Sequence, residues 1–459
     1  MNTTYFSFLS ALLQRMGDNL ADFFAGDRDI IAHFQRYQTV FETYANGFGP
    51  LGWTLYGFSL CFLIGILLSL GLLIASLIRR LALKKASAAT SALSEGDLIT
   101  TPTRFPALSA MDKEWEQNPP APMASQEGIT LHDLCANFRQ CCASQWGLFY
   151  DLTLIRYFVS ALASTRLLLL EGVSGTGKTS LPCRFAQYLG GRADVIPVEP
   201  SWREKSELLG YYNDFNHEYR QTPFLESLYR ALNEDGLHFI VLDEINLSRI
   251  EYYFAEFLSL LELPEGENRV ISLIGSEGPN DPKWVRKGKL PLADNIWFIG
   301  TANQDESTFA ITDKVYDRAM PLPFSRQGIP FEAENADPMP ITYKQLKELF
   351  QESQESFAFS TKAQEGIDRF LDFLEHHFGL VVGNRIRDQF LRFLPVYCAC
   401  GGEEEEALDY LFANKVLRKL GASHLGKEAE ISQISTQIDI IFGTESMPLC
   451  RQFLHAFGA

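Results

Sequence analysis

The chain lacks cysteines at CxxC spacing and lacks an excess of basic charge, and each absence excludes something. Its eight cysteines (61, 135, 141, 142, 183, 398, 400 and 450) contain no CxxC spacing, so they supply neither a zinc-ligand set nor the framework of a disulfide-stapled secreted domain. They read as reduced, mostly core residues. Lysine and arginine number 40 against 57 acidic residues, for a formal charge of -17. A protein whose main work is neutralising nucleic-acid phosphates needs the opposite balance, so direct nucleic-acid binding is disfavoured. His376 and His377 have no carboxylate or cysteine set at ligand spacing, which argues against a metal site built from them. At 459 residues and 46% hydrophobic content the chain is neither a single small domain nor mostly disordered.

A further absence is local. No charged residue occurs between Glu42 and Arg79, and residues 55–78 are almost wholly apolar, longer than the roughly 20 residues that cross a bilayer as a helix. The expectation is one transmembrane helix within residues 51–80. Arg79, Arg80, Lys84 and Lys85 follow it at once, which by the positive-inside rule places the C-terminal part in the cytoplasm of a single-pass inner-membrane protein. Residues 1–50 read as a short amphipathic segment, with Phe8, Leu9, Leu12, Leu13, Met16 and Leu20 at helical spacing. Residues 81–128, rich in Ala, Ser, Thr and Pro, read as a flexible linker.

The chemistry begins at residue 167. Leu167 to Leu170 form a short apolar run typical of a buried parallel strand, and it leads into Gly172-Val-Ser174-Gly175-Thr176-Gly177-Lys178-Thr179, followed by Ser180. This is a GxxxxGK[ST] phosphate loop: the glycines let backbone N–H groups curl around phosphates, Lys178 brings a point charge to the β and γ oxygens, and the Thr179 hydroxyl suits Mg²⁺. A second apolar strand from His238 ends in Asp243 and Glu244. Asp243 is placed to hold Mg²⁺ with Thr179, and Glu244 to polarise an attacking water. A third, from Ile296, runs into Gly300-Thr301-Ala302-Asn303, whose terminal amide can orient water beside a γ-phosphate.

With those strands the sequence resembles the AAA+ ATPases, and within them the McrB branch, related to the MoxR and dynein-type modules. The resemblance runs over residues 153–393 and takes in Glu199-Pro-Ser-Trp202, the stretch from Leu242 to Glu262, GTANQDEST from Gly300 and DKVYDRAMPLPF from Asp313. It implies an α/β fold, with a parallel sheet flanked by helices over residues 129–328 and a C-terminal helical lid over 329–459. It further implies that Asn303 is the first sensor with Asp305 behind it, that Arg318 is the arginine finger offered to a neighbouring subunit, and that Arg385, rather than Arg387, is the second sensor. Residues 270–292 would form a hairpin before the sensor strand, with Asn280, Asp281, Pro282 and Lys283 at an exposed tip.

The activity so implied is hydrolysis of ATP, with GTP as the alternative, by a ring of copies that is hexameric by resemblance. Such a ring would remodel or activate a partner, with a separately encoded effector and a McrBC-like defence system as the context the resemblance allows. The rival expectation is a nucleotide-switched membrane scaffold with little turnover. The sequence departs from McrB in having no counterpart of its N-terminal DNA-reading domain.

Overall fold

The computed structural model describes residues 103–458 apart from 124–125, 127, 265–268, 304–307, 325–326 and 421–427, together with residues 38, 39, 42 and 46. The chain divides into two compact units, residues 1–100 and 101–459, and the second holds the sheet and the site.

Helix α1 (Pro106–Gln117) starts on a proline, whose missing N–H costs nothing at that position. Phe105 and Leu108 are fully buried, and Arg104 pairs with Asp281 at 2.6 Å. This part of the span expected to be a linker therefore folds onto the core. Helix α2 (Leu131–Trp146) is capped by Thr130, which accepts from the Asp133 N–H, and closes on Gly147 in the left-handed region. Helix α3 (Leu152–Ser164) leads into β1 (Leu167–Gly172), and α4 (Ser180–Tyr188) follows the phosphate loop. Next come β2 (Arg192–Pro197), α5 (Lys205–Leu209), an antiparallel pair β3 (Tyr211–Asn213) and β4 (Glu218–Arg220), α6 (Pro223–Ala231) and β5 (His238–Asp243). Two short helices, α7 (Ile250–Tyr253) and α8 (Ala255–Leu260), precede β6 (Val270–Ser272) and β7 (Lys289–Pro291), then β8 (Ile296–Ala302), α9 (Asp313–Tyr316) and β9 (Met320–Phe324).

The main sheet is parallel with the order β2-β5-β8-β1-β9. The strand ending in Asn303 thus lies between the one ending in the phosphate loop and the one ending in Asp243. Side chains alternate across it, as a twofold period requires. Leu168, Leu170, Val241, Ile299 and Leu322 face a cluster built with α2, α3 and α4. Leu167, Leu169, Ile240, Leu242 and Phe298 face a second one under α1, α6 and α8. Burial on both faces explains why these strands read as continuous apolar runs.

The C-terminal part is helical: α10 (Tyr343–Ser356), α11 (Thr361–Phe378), α12 (Asn384–Ala399), α13 (Glu404–Leu411), α14 (Glu428–Ile441) and α15 (Pro448–Gly458). It shares one hydrophobic cluster with the sheet. Tyr157 of α3 stacks on Tyr410 and Tyr397 at ring separations of 4.0 and 5.0 Å. Asp409 accepts from the backbone N–H groups of Leu449 and Cys450 at 2.7 and 2.8 Å, and so caps α15.

Two expectations are corrected. The hairpin of β6 and β7 forms, but its connecting loop is no free tip. The Asp281 side chain is buried against Arg104, the Lys283 N–H donates to Asp112, and Trp284 Nε1 donates to Asn233 at 3.1 Å. The single-pass inner-membrane placement is overturned: among the described residues no helix is long and apolar enough to cross a membrane, whereas a spanning helix needs about 20 consecutive apolar residues. Residues 51–80, on which that reading rested, lie outside the described residues, as do the amphipathic helices expected before them.

Candidate functional site

At the C-terminal ends of β1, β5 and β8 the sequence-predicted residues converge. The phosphate loop turns on three glycines in conformations that L side chains rarely adopt: Gly172 (φ 149°), Gly175 (φ 79°) and Gly177 (φ 90°). A Cβ on Gly172 would sit 2.2 Å from the Phe324 carbonyl oxygen, and one on Gly177 would sit 3.0 Å from the Tyr150 hydroxyl. The Tyr150 hydroxyl donates to Gly177 O from beneath the loop, and Thr176 Oγ1 donates to Val173 O at 2.9 Å. Ser174 and Gly175 form the exposed crest, and Ser180 opens α4 behind it.

Lys178 is buried, and its Nζ donates to Gly172 O and Val173 O at 2.8 and 2.7 Å. Burial pulls its ammonium below the usual lysine range, against the opposing pull of the Asp243 and Glu244 carboxylates. Thr179 Oγ1 donates to Asp243 Oδ1 at 2.8 Å. Hydroxyl and carboxylate form a hard oxygen pair suited to Mg²⁺, which keeps several waters and is held by few protein ligands plus phosphate oxygens.

Glu244 occupies the left-handed region at φ 55° and ψ 50°, a conformation that costs a non-glycine residue about 1–2 kcal/mol. The fold holds it there from both ends. Its N–H donates to Thr301 Oγ1 at 2.9 Å, and its Oε1 accepts from Asn303 Nδ2 at 3.1 Å. Thr301 Oγ1 in turn donates to Asp243 Oδ1 at 2.7 Å, and Asn246 Nδ2 donates to Asn303 O at 2.8 Å. Sequence reasoning missed Thr301, which is 2% exposed and ties both carboxylate residues together. Its signal was a hydroxyl one residue beyond the apolar part of a buried strand. Asp305 lies outside the described residues.

Arg318 and Arg385 are elsewhere. In the register of β1 with β9, Leu168 pairs with Met320 and Gly172 with Phe324, so Arg318 stands where the strands begin and the phosphate loop where they finish. Arg318 precedes Met320 by two residues and so lies about six residues before Gly172 along the strands, which at about 3.3 Å each separates the two by roughly 20 Å. Arg318 and Arg385 meet on one carboxylate, Glu262 Oε1, with the Arg385 contact at 3.0 Å. They line a cavity of about 830 Å³ together with Arg166, Arg269 and Arg392. Arg387 pairs with Asp368 at 3.4 Å instead. The chain thus carries its phosphate loop on one sheet edge and a cationic cavity on the other.

A parallel sheet flanked by helices, with a glycine loop, a Thr–Asp pair and a carboxylate–amide pair at its strand ends, fits a P-loop NTPase. No family model matches the chain. It is 24% identical over 200 residues to the type IV methyl-directed restriction enzyme EcoKMcrB subunit of Escherichia coli K12. That stretch is 42% of this chain and 40% of the relative, so the chain spans about two fifths of the length of the curated protein that it matches. A crystal structure of a "putative ATPase" from Cytophaga hutchinsonii superposes with a TM-score of 0.39 at 13% identity, over 66% of this chain and 87% of that one, too loosely to carry an argument. The chain thus has the fold and strand-end residues that fit a P-loop NTPase, together with a local sequence similarity to the McrB subunit.

Proposed function

We propose that this chain hydrolyses ATP, with GTP as the alternative nucleotide, in a ring of copies whose active sites form between neighbours, and that turnover remodels or activates a separately encoded partner. One observation carries the reading: the phosphate loop with Asp243, Glu244 and Asn303 sits at one sheet edge, and Arg318 with Arg385 sits at the other. A transition state with charge spread over the γ-phosphoryl oxygens gains from a cation by roughly 10³ to 10⁵ in rate. Arg318 is too far from its own phosphate loop to provide it, and in this reading a neighbour's Arg318 does.

Each residue of the site has a role in this reading. Backbone N–H groups of residues 172–179 and the Lys178 ammonium would bind the phosphates. Thr179 and Asp243 would hold Mg²⁺, which when bound offsets charge on the β and γ oxygens. Asn303 orients the Glu244 carboxylate, and Glu244 takes the proton of the attacking water. Glu262 occupies both arginines until a neighbour's phosphates compete for them. A McrBC-like defence setting is the biological context this reading favours.

Nucleotide binding and phosphate release measured on three variants test the proposal. Lys178→Ala should lose nucleotide binding. Glu244→Gln should bind normally and lose about 10² to 10⁴ in turnover, the usual worth of a general base. Arg318→Ala should bind but turn over about 10³ to 10⁵ more slowly. Binding with negligible turnover in the wild type would instead favour the nucleotide-switched scaffold, and full turnover in Arg318→Ala would remove the shared site.

A further inference from the structure

The turn that carries Arg318 is held at every backbone carbonyl by a side chain from elsewhere. Lys415 Nζ donates to Tyr316 O at 2.5 Å and to Ala319 O at 2.7 Å. Gln389 Nε2 donates to Asp317 O at 3.2 Å, and Thr165 Oγ1 donates to Arg318 O at 2.6 Å. Lys419 Nζ adds an ion pair to Asp317 at 2.6 Å. Lys415 is 3% exposed, and it lies in a π-helical stretch, Phe412–Val416, between α13 and the 3₁₀ turn Leu417–Leu420. Widened turns of this kind are uncommon and recur at functional sites.

A buried lysine is a poor stabilising device. Its desolvation can exceed what its partners return, and apolar replacements of similar volume are often neutral or stabilising. Geometry gives this one a task, because its two carbonyl partners flank Asp317 and Arg318. Three residues on, Arg418 lies over the Tyr316 ring at 3.6 Å and donates both to the Tyr316 hydroxyl and to Glu171. Glu171 is the residue before Gly172, and it also accepts from the Tyr316 hydroxyl. The Lys415 hydrogen bonds named above go to the finger turn, whereas Arg418 bonds both to the finger turn and to the strand end that carries the phosphate loop.

We infer that Lys415 is a positioning residue for Arg318: by clamping the 316–319 turn it fixes the direction in which the arginine meets a neighbour's γ-phosphate. The inference rests on the proposed trans role of Arg318. Misplacement of such a group by about 1 Å can cost on the order of a hundredfold in rate.

The test is a mixing matrix. Lys415→Met should keep its thermal stability and bind nucleotide normally, while turnover falls at least about tenfold. Mixed with Lys178→Ala, it should regain turnover, because its own phosphate loop then faces an intact neighbouring finger. Mixed with Arg318→Ala, it should stay inactive, since both partners are defective on the finger side. Turnover at wild-type level, or rescue by Arg318→Ala and not by Lys178→Ala, would overturn the role. Arg318→Ala mixed with Lys178→Ala is the control: without rescue in that pair the trans finger itself fails, and the positioning role fails with it. If Lys415→Met does not fold, Lys419→Gln replaces it in the same matrix, with a loss of about threefold that shows the same pattern of rescue.

Discussion

Replacing Thr301 by valine removes one hydroxyl of nearly unchanged volume from the centre of the site. That hydroxyl accepts from the Glu244 N–H at 2.9 Å and donates to Asp243 Oδ1 at 2.7 Å. The first loss leaves a part-buried N–H without its partner, a penalty of about 1–3 kcal/mol, and the second strips a hydrogen bond from a carboxylate, worth about 1.5–3 kcal/mol. Since the two share one atom they do not simply add, and a net destabilisation on the order of 2–4 kcal/mol is expected. The functional effect has a separate source. Glu244 sits in the left-handed region, and without the Thr301 anchor its backbone can relax by the roughly 1–2 kcal/mol held there. That swings the carboxylate away from Asn303. Turnover should fall by about 10 to 10³, part of the worth of a general base, with nucleotide affinity little changed because Lys178 and the loop are untouched. Urea denaturation and steady-state phosphate release on the same preparations measure both quantities, and Thr301→Ser, which keeps the hydroxyl, should restore each. A valine variant within about 1 kcal/mol of wild type in stability and within twofold in turnover would show that the hydroxyl neither anchors Glu244 nor supports Asp243.

Two more outcomes follow from the same geometry. Gly172→Ala would place a Cβ 2.2 Å from the Phe324 carbonyl oxygen at a φ of 149°, so phosphate-loop nucleotide binding should be lost, and an alanine variant that binds normally would mean that the loop does not need its first glycine. The fully buried His238 pairs with Asp194 through Nε2 at 3.0 Å and lies 3.4 Å from Glu234. Burial pulls its pKa down, but the two carboxylates pull it up further, to above the usual histidine value of about 6.5. Burial likewise raises Asp194, and the His238 and Ser227 hydrogen bonds outweigh it and hold the carboxyl below its usual range. By linkage the His238 contribution is complete below pH 6.5 and disappears as pH rises through the raised folded value, while the Asp194 contribution is complete above about pH 4 and disappears on acidification. The urea midpoint of the wild type relative to His238→Gln should therefore be highest near pH 5–6 and decline by pH 9, and a difference that stays constant with pH would contradict the charged pair.

The parts of the site that lie within a few residues of a strand end were legible in the sequence. Gly172 to Thr179, Asp243, Glu244 and Asn303 each follow an apolar run, and the twofold side-chain period with its two buried faces forces such runs into a parallel sheet whose C-terminal ends lie together. The order β2-β5-β8-β1-β9, which brings three separate runs to one edge, is a matter of long-range pairing that no local pattern encodes. The same holds for Thr301, whose two partners are 57 and 58 residues away, and for Arg318 and Arg385 meeting on Glu262. Residues 103–123 carry the prolines and small residues of a linker, yet Phe105 and Leu108 are enough to dock α1 once α6 and the 270–292 hairpin present a surface. Lys415 stands among buried apolar neighbours with nothing in the sequence to mark its acceptors. Only the fold, by bringing the carbonyls of Tyr316 and Ala319 to one point some hundred residues away in the chain, gives its charge a place to act.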